Sequence, residues 1–228
     1  LDYLIILRFN KELISMSSKE FIEEILINKL NIKSLTAGDD FKFGNNQSGT
    51  VNDLLEYSKN GYFSMNIENK HSIDNVRISS SQIREAIIAN DFEKASKMLG
   101  RPYSVSGKII HGEKRGREIG FPTANIHMRH NRPPLKGVFA VKFQKHFGVA
   151  NLGIRPSIKG EKKLQLEVHL LNFSSDLYGQ HVNVIFLKKL RDEKKFKSLD
   201  ELKEQIKLDV IKAKLFLIRR IYDRAKQI

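Results

Sequence analysis

The chain has 228 residues, 40% of them hydrophobic, which is enough for one or two domains with real cores. It has no cysteine, so disulfide frameworks and thiolate metal sites are excluded and a reducing cytoplasm is the expected compartment. No apolar run is long enough for a bilayer span, and no signal-peptide pattern opens the chain, so no membrane partner is expected. The net charge of +14 is uneven: residues 1–99 carry 12 Lys+Arg against 14 Asp+Glu, and residues 100–228 carry 28 against 12. Such asymmetry is one mark of nucleic-acid binding, and a basic β-barrel that binds nucleic acid without catalysis is the alternative reading. Many of these charges, however, fall on the last helix, where a charge run is usually a solvated face.

In chain order, Tyr3–Leu7 is a continuous apolar run, which predicts a strand buried on both faces of a parallel sheet. Ser17 or Ser18 caps a predicted helix with Phe21, Ile22, Ile25, Leu26 and Leu30 at helical spacing. Ile32–Ala37 is the next predicted strand. The loop at its carboxyl end, Gly38–Gly44, stands where open α/β sheets hold ligands, and it contains Asp40 and Phe41. Val51–Ser58 is predicted as a helix and Phe63–Ile67 as a strand. Ser79, with Gln82 three residues on, has the spacing of a helix N-cap. Ser80, Ser81 and Arg84 on that first turn add hydroxyls and a positive charge to free N–H groups, the ingredients of a phosphate site.

The helical segment Ser81–Leu99 runs into Gly100-Arg101-Pro102, a helix stop signal. The charge balance flips there, so the domain boundary is placed at residue 100. Within His111–Asn125, Gly112, Gly116 and Gly120 recur every four residues among Lys114, Arg115 and Arg117. Glycines allow close backbone approach, and successive N–H groups in such turns form an anion-binding concavity. Pro122 then presents Thr123 and Asn125, two oxygen donors suited to Mg²⁺. The common G-x-x-x-x-G-K-[ST] nucleotide loop is absent. His127-Met128-Arg129-His130 has two histidines at His-x-Gly-His spacing but lacks the glycine, and it reads as a polar loop without a role.

Short alternating runs follow at Val105–Ile110, Gly137–Phe143, Phe147–Leu152, Leu164–Leu171 and Val182–Leu187, which predicts an antiparallel barrel or sandwich. In the fourth run, Leu164, Leu166, Val168 and Leu170 face one way and Gln165, Glu167 and His169 the other. Ser198 and Glu201 form a second capping-box spacing. Leu202, Ile206, Val210, Ala213, Leu217 and Ile221 then make an apolar stripe on a long amphipathic helix, expected to pack on the barrel.

The ordered series Gly100-Arg101-Pro102-Tyr103, Gly112–Asn125 ending in Pro-Thr-Ala-Asn, Gly137–Val141, Val149–Pro156, Leu166–Leu171, Leu177-Tyr178-Gly179 and Leu190–Phe196 resembles the riboflavin kinase module. Ile78-Ser79-Ser80-Ser81-Gln82-Ile83-Arg84 resembles the Ile-Ser-Ser-Thr-x-Ile-Arg segment of the HxGH nucleotidyltransferases, with Ser81 in place of Thr. The chain as a whole is similar to the bacterial bifunctional riboflavin kinase/FAD synthetases. The resemblance implies a partial α/β Rossmann-like nucleotidyltransferase domain at 1–99. It implies a six-stranded antiparallel Greek-key β-barrel with a long C-terminal helix at 100–228.

The implied activity is phosphorylation of riboflavin by ATP, and FMN adenylylation where the family's ATP-binding HxGH segment precedes. That segment is expected upstream of Leu1, and a first residue other than Met agrees; without it no FMN adenylylation is expected. Glu167 is the implied catalytic carboxylate. Thr123 and Asn125 are the implied Mg²⁺ ligands, and Gly112, Lys114, Gly116, Arg117 and Gly120 line the implied ATP loop. Arg191 and Phe196 are implied on the flavin side. Asp40, Phe41, Ser80, Ser81 and Arg84 are implied for the adenylyltransferase module. Ser157 stands where the family usually has Thr, which reads as neutral. The expected partners are riboflavin, FMN and ATP, with Mg²⁺ as cofactor and nucleic acid not a main partner.

Overall fold

A computed structural model describes residues 2–69, 72–73, 76–112, 116, 119–128, 133–156, 162–173 and 175–226. The chain separates into two units, Leu1–Arg77 and Ile78–Ile228. Lys114, Arg115, Arg117, Arg129, His130 and Ser157 lie outside the described residues.

The first unit is α/β. A short helix α1 (Lys11–Ser15) is capped by Asn10. Helix α2 (Ser18–Glu20) opens with a reciprocal capping box: Ser17 Oγ accepts from the Glu20 N–H at 3.2 Å, and Glu20 accepts from the Ser17 N–H at 2.8 Å. The Ser17 N–H and the Ser17 hydroxyl both donate to the Glu20 carboxylate, which holds it below its ordinary value. The helix continues as π-helix over Phe21–Lys29. Strands β1 (Ser34–Gly38) and β2 (Ser64–Glu68) pair in parallel, with Ser34 opposite Ser64, and helix α3 (Val51–Lys59) lies in the crossover. Parallel neighbours need such a crossover, and it buries Ile22, Leu26, Phe43, Leu54 and Phe63 in one cluster. Two-residue strands β3 (Ser72–Ile73) and β4 (Val76–Arg77) close the unit.

The strand predicted at Tyr3–Leu7 is not formed. Tyr3 and Ile6 are 88% and 80% exposed, and the segment has no regular structure. Among the described residues β1 and β2 pair only with each other, and residues 3–7 join neither outer edge. An extended apolar segment without a neighbour cannot satisfy its backbone away from water.

The second unit is a closed barrel. Helices α4 (Ser80–Ile88) and α5 (Phe92–Leu99) precede strands β5 (Ser104–Ile110), β6 (Ala124–His127), β7 (Gly137–Phe143), β8 (His146–Pro156), β9 (Lys162–Leu170) and β10 (His181–Arg191). All ladders are antiparallel, in the circular order β10-β5-β6-β9-β8-β7. The β7-β8-β9 meander returns beside β6, and β10 closes the ring, which is a Greek-key path. Closure removes every sheet edge.

Alternation decides what fills the barrel. Phe139, Val141, Ala150, Leu152, Leu166, Val168, Val184 and Phe186 point inward and are buried. Phe92 from α5 plugs this core, its ring 6.1 Å from both Phe139 and Phe186. The two helices before residue 100 therefore pack with the barrel. The segment expected as a polar loop at 127–130 is different where described: His127 ends β6, and Met128 is buried in the barrel core. Its thioether fills apolar space that a loop residue would have left to solvent.

Helix α6 (Leu199–Ala225) lies against the outer wall, where Ala213 packs with Val138, Ala140 and Val149. Ser198 caps it as predicted, accepting from the Glu201 N–H at 3.2 Å, although Glu201 returns its bond to the Lys197 N–H. The predicted stripe is buried at Ala213 and Leu217 but not at Ile221, which is 59% exposed. Among the described residues no helix is long and apolar enough to cross a membrane.

Candidate active site

Register across the barrel brings one row of outward-facing side chains together. Asn125 on β6 is opposite Glu167 on β9, and Glu167 is opposite Asn151 on β8. Asn151 is opposite Val138 on β7, which in turn is opposite Arg191 on β10. Inward neighbours such as Leu166 and Val168 are fully buried, so the row itself faces away from the core. Helix α6 runs over this face and makes a cleft of about 270 Å³. All five residues line it, together with Gly116, Phe121, Thr123, Phe196, Leu202, Ile206 and Asp209.

One end of the cleft is polar. Thr123 comes from the turn into β6 and Asn125 from the start of that strand, and the turn is pinned by β9: His169 Nδ1 donates to the Pro122 carbonyl at 2.9 Å. The Phe121 and His169 rings meet edge-on at 5.3 Å. Asn125 is buried, and its Oδ1 accepts from Gln165 Nε2 at 2.5 Å. Gln165 Nε2 also lies 3.3 Å from Glu167 Oε1. A Cβ added at Gly112 would lie 2.1 Å from the Asn125 amide nitrogen, so this glycine is required for close approach. Gly120 has φ +86°, the left-handed region that favours glycine.

The other end has apolar walls beside charged groups, Glu193 and Lys194 among them. Val138, Val149, Leu202, Ile206 and Phe196 form its walls. Here Arg191 Nε donates to both Asp209 oxygens, at 2.9 and 3.0 Å, and the guanidinium also donates to the Asp192 carbonyl at 2.9 Å. Its Cζ stands 5.8 Å from the centre of the Phe196 ring. Gln205 adds a bond to Asp209 at 3.0 Å.

The cleft thus gathers Gly116, Thr123, Asn125, Glu167, Arg191 and Phe196, with Gly112 packed on Asn125. Elsewhere, Ser80 and Ser81 open α4 behind the Ser79 cap, whose Oγ accepts from the Gln82 N–H at 3.2 Å, and Arg84 follows one turn later. In the first unit Asp40 pairs with Arg77, and Phe41 stacks on Phe43 at 5.5 Å. Sequence reasoning missed Asn151, Gln165, the turn-pinning role of His169, and Asp209. Asp209 carried a signal: it is an acid on the face of α6 that also carries Ile206 and Val210. Chemically, the cleft offers a carboxylate between two carboxamides, polar donors on one side and a slot for a flat apolar group on the other.

Residues 99–217 match the family model described as riboflavin kinase, and residues 1–82 match the one described as FAD synthetase. A bifunctional riboflavin kinase/FMN adenylyltransferase of Pseudomonas fluorescens is 41% identical over 217 residues, spanning 93% of this chain and 70% of that protein. The protein of the same description from Haemophilus influenzae is 45% identical over 220 residues, spanning 94% and 71%. A crystal structure described as a macrolide-efflux protein from Streptococcus pneumoniae superposes with a TM-score of 0.72 at 33% identity, covering 90% of this chain and 67% of that one.

Proposed function

The chain belongs to the bifunctional riboflavin kinase/FMN adenylyltransferase family, and on that premise we propose that its barrel transfers the γ-phosphate of ATP to riboflavin, giving FMN and ADP. The observation that carries this reading is the shared cleft: Glu167 stands between the Thr123–Asn125 end and the apolar end lined by Phe196. We assign the functional division to residues 1–99 and 100–228. The first part we assign as the adenylyltransferase module, with FMN adenylylation as its reaction.

Phosphoryl transfer needs positioning and charge neutralisation more than covalent chemistry from the protein. The isoalloxazine ring enters the slot between the barrel wall and α6, against Phe196. Its ribityl chain then runs along the row toward Glu167, which accepts the proton of the 5′-hydroxyl as that oxygen attacks phosphorus. The phosphates lie at the Thr123–Asn125 end, near Gly116 and the Gly112 that packs on Asn125, and Lys114 and Arg117 are assigned to the same nucleotide-binding role. Thr123 and Asn125 suit Mg²⁺: both are neutral oxygen donors, and the Asn125 carbonyl keeps a lone pair beyond its bond to Gln165. When bound there with the nucleotide, the ion would neutralise phosphate charge. Arg191 positions the flavin side through its grip on α6 and its approach to Phe196. Asp40, Phe41, Ser80, Ser81 and Arg84 are assigned to the adenylyltransferase module, the serines and Arg84 for phosphate.

The test is turnover. Riboflavin, ATP and Mg²⁺ with this chain should yield FMN and ADP in equal amounts. Absence of FMN, with an oligonucleotide rather than ATP or riboflavin raising the melting temperature, would instead favour the nucleic-acid reading.

A further inference from the structure

Two carboxamides flank Glu167 in the row, and their states differ. Asn125 is satisfied by Gln165. Asn151 Oδ1 is buried, with no hydrogen-bond partner among the described residues. A buried amide oxygen left unpaired costs free energy, so a native structure that keeps one has a use for it. It sits in a strand whose inward neighbours Ala150 and Leu152 are fully buried, which fixes the side of the barrel that Asn151 faces. That side is the cleft, and Asn151 lines it.

Its place in the row selects the partner. Glu167 divides the cleft: Asn125 and Thr123 lie on the polar side, Asn151 and Val138 on the side of the apolar slot. Adjacent strands are about 4.8 Å apart. Asn151 therefore faces the part of the substrate one step before the reacting hydroxyl, on the way to the ring. We propose that Asn151 is a specificity residue for the polyol, accepting a hydrogen bond from a secondary hydroxyl of the ribityl chain. Turned by 180°, the same amide would donate to that hydroxyl's oxygen, so the partner class does not depend on the amide's orientation. This inference rests on the kinase reading and goes beyond it by assigning what distinguishes riboflavin from a flavin with a plain alkyl alcohol.

The experiment compares riboflavin with a flavin whose ring nitrogen bears a 5-hydroxypentyl chain, which keeps the ring and the terminal hydroxyl but lacks the secondary ones. Wild-type protein, Asn151→Ala and Asn151→Val are assayed for kcat/KM with both, and for the KM of ATP. A site built around a substrate hydroxyl strongly rejects an analogue that lacks it. We expect the wild type to prefer riboflavin, and both variants to lose about 10- to 100-fold on riboflavin but less than about 3-fold on the hydroxypentyl flavin. The KM of ATP should not change. Valine suits a strand, so one variant keeps the fold if alanine does not. Equal losses on both flavins, or no loss on either, overturn the proposal. A wild type that phosphorylates neither flavin overturns the kinase reading itself, and is recognised without any variant.

Discussion

Arg191 and Asp209 join β10 to α6 through a forked pair in which Asp209 is almost completely buried and Arg191 nearly so. Removing one partner of such a pair leaves an uncompensated charge and costs about 3–5 kcal/mol, whereas replacing both with apolar residues is close to neutral. Asp209→Ala should therefore lower the denaturation midpoint sharply, and Arg191→Met with Asp209→Leu should restore most of it. Denaturant titration of the wild type and these two variants checks this. Because Arg191 holds α6 and approaches Phe196 on the flavin side, the double variant should regain stability yet show a raised riboflavin KM.

Gly112 is held against the Asn125 side chain, where a methyl group would overlap the amide. Asn125 cannot move freely, since it is buried and bonded to Gln165. Gly112→Ala should displace Asn125 and lower kcat/KM for ATP by about 10- to 100-fold, as misplacement of a positioning group by about 1 Å does. Steady-state kinetics with varied ATP measures it; an unchanged enzyme would remove Asn125 from the nucleotide end.

The oxygen donors at the polar end are uncharged apart from Glu167, and among the described residues no group of three or more His, Asp or Glu side chains gathers as a metal cage. Mg²⁺ should then arrive with the nucleotide. Thermal-shift measurements should show no stabilisation by Mg²⁺ alone and a clear rise with Mg²⁺ plus ATP, about 2.7 kcal/mol at a hundredfold excess over Kd. Chelation should abolish turnover and leave the apo melting point unchanged.

Tyr103 packs on Phe92 and Phe186, and burial pushes its phenol up to about 12. Its proton is held more tightly in the folded protein than in the unfolded chain, whose tyrosines titrate near 10. The contribution is complete below pH 10 and is lost as the pH rises from 10 to about 12. Stability should fall over that interval, and less steeply in Tyr103→Phe, as alkaline denaturation curves will show.

Much of the barrel was legible because alternation alone locates five strands. β6 was not, since four residues behind a proline turn give too short a pattern. β8 and β10 run on to Pro156 and Arg191, past the apolar runs that announced them, because their partners continue to bond them. The site is a matter of register. Asn125 and Glu167 are 42 positions apart, and nothing in either local pattern says that β6 and β9 pair; only the motif resemblance brought them together. Asn151 was within a noted motif, yet its significance needs both the ladder to β9 and its unpaired oxygen. The run at residues 3–7 shows the converse: hydrophobicity marks a segment able to form a strand, but only pairing makes it one, and this run pairs with neither β1 nor β2.

Glu167 is the group on which the kinase assignment turns, and the most direct test follows the labelled γ-phosphate of ATP into FMN in the wild type, Glu167→Gln and Glu167→Ala. The account predicts label in the flavin for the wild type and a loss of at least about 100-fold in kcat for both variants, the usual worth of a general base. Their melting points should match the wild type and their ATP affinity should persist. A Glu167→Ala protein that labels FMN at the wild-type rate would contradict it.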